Sequence, residues 1–475
     1  MIDFKDPTQK VALNPLYRMR KDQDRVFIFP LNPFTCLEEN KRIFISPVEA
    51  IILSFFNGHR NIGEVVEEIA YILDCNPSQA GSIAVNCLMK NKALIVPVNE
   101  VNSHQIIKYQ PNDFIVSKND IDLTTNHPKI PEVIMYIPTF SCDYDCIYCY
   151  APGNKVGEYE LDFLLIKEFL RQMQEWQIPS LFLSGGDPFN YRQIKELLVC
   201  CLDMGIKPII PTKTPLEPDM IDFIVDSKID EMQFSVDTAQ ADVSRILIGR
   251  GEEYLKKLFS SMQRMMQKGI QIYTNTVVTS RNIKSIVGLI EILIALGVKQ
   301  MTFSQYSRSY FRHFDTLFCD FQDLEILEQQ INGLKMKYPA VKIYYKYLKD
   351  HTFMDRNEKE LFFKNIPDCT AGKMGMVILP DGLVTVCENL YYQKGLNLGD
   401  LKRQTLEEIW FSKQRREIVD QGSSIFAAGE CLSCGEAEDC YHKKGKCFVR
   451  ALQAFGDIKM PDPYCPKSTG GARIV

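Results

Sequence analysis

The chain has 475 residues, 45% of them hydrophobic and 24% charged, with a formal net charge of −5; this is the composition of a soluble globular protein long enough for about two to four domains. The mild negative charge excludes a general electrostatic pull toward nucleic acid or an anionic membrane, and the longest apolar run, residues 286–298, is too short to span a bilayer. Residues 1–10 are polar and charged rather than signal-like, so the expected location is cytoplasmic; sixteen cysteines in that reducing compartment point to metal binding, not disulfides.

In chain order, alternating segments at 26–31 and 42–45, around the polar Glu38-Glu39-Asn40-Lys41, predict a β-hairpin. Ser46 then caps a helix with Pro47 at its first position and Val48, Ile51, Ile52 and Phe55 on one stripe. A second helix carries Val65, Ile69 and Ile72, and a third starts near Pro77 with Ala80, Ala84, Cys87 and Leu88 in phase, before a short strand at 93–97. The outline is a winged helix-turn-helix. Residues 99–129 are polar and read as a linker. From 131 to 310, β-rich runs at 133–138, 181–183, 208–212, 232–236, 273–279 and 301–306 alternate with helical stretches such as 164–176 and 283–296. That pattern predicts six β/α units and a parallel sheet. Residues 320–475 have shorter elements and many Cys, Gly and Pro, as where metal replaces part of a hydrophobic core.

Cys142, Cys146 and Cys149 follow the first β run at CxxxCxxC spacing. A loop at the C-terminal end of a parallel strand is where such sheets bind ligands. Three thiolates can hold three irons of a cubane and leave the fourth open, whereas zinc needs another ligand close by, and the nearest histidine, His127, precedes the strand. The segment resembles the radical S-adenosylmethionine (SAM) signature, with Tyr148 in the aromatic position before the third cysteine. The resemblance implies a 4Fe–4S cluster on these cysteines, SAM on its open iron, and cleavage of SAM to a 5′-deoxyadenosyl radical. Gly185, Gly186, Asp187 and Pro188, after the second run, look like the GGEP motif of that family with Asp for Glu; its backbone meets the SAM amino group, and glycine permits the close approach. Ser235 and Asp237 resemble residues that reach the SAM ribose and carboxylate, and residues 276–279 with Arg281 and Asn282 resemble the strand beside the adenine. The implied α/β core is a partial (β/α)6 TIM barrel over 131–319.

Cys369, Cys387, Cys431, Cys434, Cys440, Cys447 and Cys465 resemble the seven-cysteine pattern of SPASM domains, here within 320–475, with six residues instead of three between Cys440 and Cys447. By resemblance, Cys369, Cys387 and Cys447 hold one auxiliary 4Fe–4S cluster and Cys431, Cys434, Cys440 and Cys465 a second, which makes three clusters in all. A zinc ribbon or purely structural clusters is the competing reading. Cys36, Cys75, Cys87, Cys200, Cys201 and Cys319 have no ligand spacing and are expected to be small core hydrophobes.

Residues 21–96 hold seven Lys/Arg against nine Asp/Glu, which removes the electrostatic footprint of a DNA-binding domain. With Pro47-Val-Glu-Ala50 and Phe55-Phe-Asn-Gly58, residues 1–105 resemble the PqqD-like leader-recognition elements of ribosomal peptide maturases, which bind a leader peptide as an added β-strand; residues 106–130 are then the linker. The whole chain is similar to radical SAM/SPASM peptide maturases. The resemblance implies capture of a ribosomal precursor peptide through its leader, hydrogen abstraction, and oxidative cross-linking, with a thioether favoured over a carbon–carbon bond. An electron donor such as flavodoxin or ferredoxin is implied, with no nucleic acid and no membrane partner. The alternatives are a maturase that oxidises a residue on a folded protein, as sulfatase-activating relatives do, and a non-enzymatic iron–sulfur sensor.

Overall fold

A computed structural model describes residues 3–31, 42–100, 106–116, 121–124, 127–152, 159–366, 369–391, 393–419, 428–437, 440 and 446–475. Contacts divide the chain into two units, Met1–Glu132 and Val133–Val475. The first unit contains strands β1 (Val11–Leu13), β2 (Tyr17–Asp22), β3 (Arg25–Pro30) and β4 (Ile43–Ile45), helices Pro47–Phe55, Ile62–Ile72 and Pro77–Lys90, and strand β5 (Ile95–Pro97). β3 pairs antiparallel with β4, Val26 opposite Ile45, as the hairpin reading expects. The connecting turn and Cys36 lie outside the described residues. Sequence reading missed β2, which pairs on the other side of β3, and β1, which pairs with β5. The helix starts are local: Ser46, Asn61 and Asn76 each accept the backbone N–H three residues on, and the last two form reciprocal capping boxes with Glu64 and Gln79.

Within the stretch expected to be a linker, Phe114 is buried in the core of this unit. Tyr109 Oη accepts the Met19 N–H at 2.9 Å. Farther along, Arg20 donates to the carbonyls of Ile130 and Pro131, Arg25 to those of Asp122 and His127, and Lys129 pairs with Asp24. Three charged side chains of the β2–β3 hairpin thus hold the strap that runs toward residue 132, and buried guanidinium groups without such partners would be costly.

In the second unit, β6 (Val133–Tyr136), β7 (Ser180–Leu183), β8 (Lys207–Ile209), β9 (Pro211–Thr212), β10 (Glu231–Ser235), β11 (Gln271–Val278) and β12 (Gln300–Gln305) form a parallel wall. Helices such as Phe163–Glu175, Ile194–Asp203, Glu252–Gln267 and Ile286–Leu296 connect the strands, the α/β pattern of a partial barrel. The run expected as one third strand is split at Ile210: β8 pairs with β7, and β9 pairs with β10. Pro208 and Pro211 have no N–H with which to continue a ladder. The helix expected from 283 begins as a 3-10 turn, Ile283–Ser285.

The cysteine-rich segment extends this wall. β13 (Lys342–Tyr344) adds parallel to β12, and β14 (Gly375–Ile378) lies parallel beside β6, followed by antiparallel β15 (Leu383–Thr385) and β16 (Asn397–Asp400). One apolar core runs from Ile134 through Trp410 to Leu452. Cys87, Cys201 and Cys319 are buried, whereas Cys75 and Cys200 are only half-buried, so the core reading of those two is too strong. No described helix is long and apolar enough to cross a membrane.

Candidate active site

The loops at the C-terminal ends of β6 and β7 are laced together. Gly186 N–H donates to Thr139 O and Asp187 N–H to Ser141 O, each at 3.0 Å. Gly185 sits at φ +103°, and a Cβ on Gly186 would lie 2.1 Å from Ser141 O. The glycine pair is therefore needed to seat the cysteine loop. The buried Asp187 carboxylate accepts from Thr212 Oγ1 at 2.8 Å and from Thr214 Oγ1, Lys213 N–H and Phe189 N–H at 3.0 Å. It ties the β7 turn to the end of β9, and its pKa rises because burial outweighs these bonds. Pro188 then opens a short 3-10 turn.

Tyr148 donates its hydroxyl to Asp237 Oδ2, and the same oxygen takes Lys213 Nζ at 2.7 Å. Val277 N–H donates to Asp237 Oδ1 at 3.1 Å. Asp237 is therefore a clamp on the aromatic residue of the cysteine motif. Lys213 was not singled out in the sequence; its place directly after the third β run was the available signal. Ser235 and Asp237 line a small cleft with Thr238, Ser244, Leu247 and Tyr254. Ser244 Oγ is buried there without a partner, an orphaned polar atom that fits a polar ligand. Thr276, Thr279 and Asn282 are spent on bracing: Thr276 Oγ1 donates to Val236 O at 2.6 Å and Asn282 Nδ2 to Asp237 O at 2.8 Å, while Asn282 Oδ1 accepts from Thr279.

Burial pushes the Cys142 thiol up to about 11 and Cys146 up to about 12, neighbouring cysteines add to the rise, and Lys213 opposes it. Such thiols ionise when a metal displaces their protons. Among the described residues no three His, Cys, Asp or Glu side chains gather tightly enough for a single metal ion; a tetrahedral zinc would need sulfurs about 3.8 Å apart. Three thiols that feel one another, faced by one ammonium, fit instead a cluster whose corners spread the ligands.

The C-terminal cysteines fall into two neighbourhoods. Interaction between Cys369 and Cys447 lowers the Cys447 thiol and raises that of Cys369; Cys387 adds to the rise of Cys369, and Cys447 to that of Cys387. Cys431, Cys434, Cys440 and Cys465 act on one another in a second group, with Lys467 Nζ 3.3 Å from Cys434 Sγ. Glu388, directly after Cys387, was also missed in the sequence. Its Oε2 accepts from Tyr150 Oη at 2.8 Å and from Ser184 Oγ at 2.6 Å. One half-buried carboxylate thus joins the residue after Cys149, the residue before Gly185 and the residue after Cys387. Tyr150 stacks on Tyr391 at 6.2 Å between centroids, and Phe140 and Phe311 pack against the same ring.

Residues 136–293 match the radical SAM superfamily, and residues 369–441 match SPASM, an iron-sulfur cluster-binding domain; Cys447 and Cys465 lie beyond the second match. The PqqA peptide cyclase of Methylobacterium sp. (strain 4-46) is 23% identical over 361 residues, 74% of this chain and 91% of that protein. The AdoMet-dependent heme synthase of Methanosarcina barkeri is 22% identical over 348 residues, 70% of this chain and 96% of that protein. Streptococcus suis SuiB bound to S-adenosylmethionine shares the fold with TM-score 0.63 and 17% identity, covering 96% of this chain and 99% of that one. The chain anSMEcpe with bound AdoMet gives TM-score 0.51 and 15% identity, covering 71% and 94%. With these matches set on a parallel barrel wall, this enzyme carries a radical SAM domain over residues 136–293 and a SPASM iron-sulfur cluster-binding domain over residues 369–441.

Proposed function

We propose that this enzyme captures a ribosomally made precursor peptide through the first unit and closes a cross-link in it, a thioether ahead of a carbon–carbon bond. Coverage carries the reading: the SuiB fold, also solved with the precursor peptide SuiA, extends over 96% of this chain, whereas anSMEcpe spans 71%. The PqqA peptide cyclases are relatives that act on a peptide; the heme synthase relative has no such substrate in its name. For the leader, β4 is the strand to extend: among the described residues it is an edge of its sheet, while the opposite edge strand, β2, already uses the Met19 N–H on Tyr109.

Cys142, Cys146 and Cys149 would hold the cluster that binds SAM, with Cys369, Cys387 and Cys447, and Cys431, Cys434, Cys440 and Cys465, holding two auxiliary clusters. When bound, these groups supply a hydrogen-abstracting radical and acceptors for the electron the substrate gives up, and flavodoxin or ferredoxin is the class of donor that fits. The chain's own residues do the rest. Joining C–H and S–H as C–S removes one hydrogen as an atom and one as a proton, and the Glu388 carboxylate is the acceptor for that proton. Tyr150 and Ser184 fix its orientation, Tyr148 is clamped by Asp237, and the Phe140, Phe311 and Tyr391 rings keep the place dry.

The test is anaerobic turnover with SAM and the product of a short reading frame adjoining this gene. Mass spectrometry should show loss of two hydrogen atoms per link together with 5′-deoxyadenosine. Oxidation of a residue in a folded protein, with no reaction on any short peptide, would favour the competing maturase reading, and absence of SAM cleavage would favour a sensor.

A further inference from the structure

The two groups of C-terminal cysteines meet different cations. Beside Cys447, Arg450 reaches Asp462 Oδ2 through Nε at 2.9 Å and Nη2 at 2.7 Å, and the same carboxylate accepts the Cys447 N–H at 3.4 Å. This guanidinium and this carboxylate act on Cys447 with opposite sign, so in contact they largely cancel there.

Lys446 stands differently, although it is the next residue along the chain. It is only 8% exposed. Its Nζ donates to Lys459 O at 2.8 Å and lies 5.8 Å from the centre of the Phe448 ring. The same carbonyl takes the Ala428 N–H at 3.0 Å, at the cap of the turn Gly429–Ser433 that carries Cys431. On its other side Lys446 lines a cavity with Cys369, Lys373, Ile418, Val419 and Phe448. The ammonium is therefore set between the two cysteine groups, with its hydrogen bond on the Cys431 side. Burial raises the Cys431 thiol and Lys446 opposes that rise, while Cys440 also interacts with the ammonium.

An iron–sulfur cluster gains one negative charge when it takes up an electron, so a fixed cation nearby favours the reduced form. At an effective dielectric of about 20, a unit charge about 10 Å away changes that equilibrium by about one power of ten. We propose that Lys446 makes the cluster on Cys431, Cys434, Cys440 and Cys465 the more easily reduced of the two C-terminal clusters, and so the final acceptor of the one electron the substrate gives up per link. This rests on the reading that those cysteines hold a cluster. Lys446 is then a positioning residue: its charge selects where the electron comes to rest.

The test is a potentiometric titration followed by electron paramagnetic resonance. It uses the anaerobically reconstituted full chain with Cys142→Ala, Cys146→Ala and Cys149→Ala, so that only C-terminal clusters contribute, and the signals are assigned by their loss in Cys431→Ala or in Cys369→Ala. Lys446→Met should lower the reduced-to-oxidised ratio of the Cys431 signal about tenfold at a fixed potential, a shift of about 59 mV for one electron, and change that of the Cys369 signal by less than about threefold. Lys446→Arg, which keeps the charge, and Lys459→Met, which removes an exposed one, should leave both signals within about twofold of the starting chain. The proposal is overturned by an unchanged Cys431 signal in Lys446→Met, by an equal or larger shift of the Cys369 signal, or by a shift as large in either of the other two variants. Absence of iron at these cysteines in the starting chain would refute the auxiliary clusters themselves, a separate outcome. If only Lys446→Met fails to hold iron, a crystal structure of the reconstituted wild type decides: Nζ nearer to the Cys431 cluster than to the Cys369 cluster supports the assignment, and the reverse overturns it.

Discussion

Gly186→Ala places a methyl carbon 2.1 Å from Ser141 O and 2.7 Å from the Phe140 carbonyl carbon. Both are backbone atoms, so no side chain can swing aside, and the two loops must part by roughly 1 Å to reach van der Waals contact. That movement breaks the bonds from Gly186 N–H to Thr139 O and from Asp187 N–H to Ser141 O. Two hydrogen bonds at ~1 kcal/mol each and overpacking at ~1–3 kcal/mol sum to about 3–5 kcal/mol of local destabilisation. Native-state hydrogen exchange read by mass spectrometry over residues 137–149 and 184–191 should therefore speed up by about 100-fold or more, with weaker SAM binding alongside. Gly288→Ala is the control: it lies in the helix Ile286–Leu296 and an added Cβ meets nothing within 4 Å, so the helix should gain about 0.5–1 kcal/mol. Wild-type exchange and SAM affinity in Gly186→Ala would refute the steric account of this motif.

Glu388→Gln keeps the hydrogen-bonding shape but cannot accept a proton, so 5′-deoxyadenosine should still form while cross-linked product falls by about 100-fold or more; product at the wild-type rate excludes Glu388 as the base. Changing Cys142, Cys146 and Cys149 together to Ala should remove about four of about twelve irons and all SAM cleavage, and continued cleavage would contradict the site assignment. Asp24 is held below the usual carboxylate range: burial opposes this, but Lys129 and two backbone N–H groups outweigh it. Its stabilising effect is present above the unfolded carboxylate range and is lost as pH falls through the folded pKa, so Asp24→Asn should loosen exchange over residues 17–30 by about 2 kcal/mol at pH 7. That difference should shrink below about pH 4, and a pH-independent one would point to packing instead. Under the proposed leader capture, removing residues 1–127 should spare slow SAM cleavage and abolish precursor modification, because such capture would raise the local substrate concentration to about the millimolar range; full-rate modification would show that the first unit serves another partner.

Local order in the sequence carried a large part of this structure. Helix starts at Ser46, Asn61 and Asn76, the six parallel runs, and the two groups of crowded cysteines depend on periodicity, caps and spacing within a few residues. β2 escaped because four of the six residues of Tyr17–Asp22 are charged, yet Arg20 and Asp22 are buried along with Tyr17 and Met19. Their burial depends on the carbonyls of Ile130 and Pro131 and the Ile130 N–H, about a hundred residues away on the strap. The glycine pair was legible as a motif, but its steric role against the cysteine loop was not, since the atom that forbids a side chain, Ser141 O, belongs to the neighbouring loop. Lys213 and Asp237 stand 24 residues apart, and Tyr150 and Glu388 stand 238 apart. Such pairs meet only when parallel strands bring their C-terminal ends to one rim and β14 docks beside β6. The sequence alone therefore determined which cysteines crowd together and on which kind of strand end the first three sit. The tertiary structure decided which carboxylate and which ammonium face them, because charge interactions follow distance in space and carry no period along the chain.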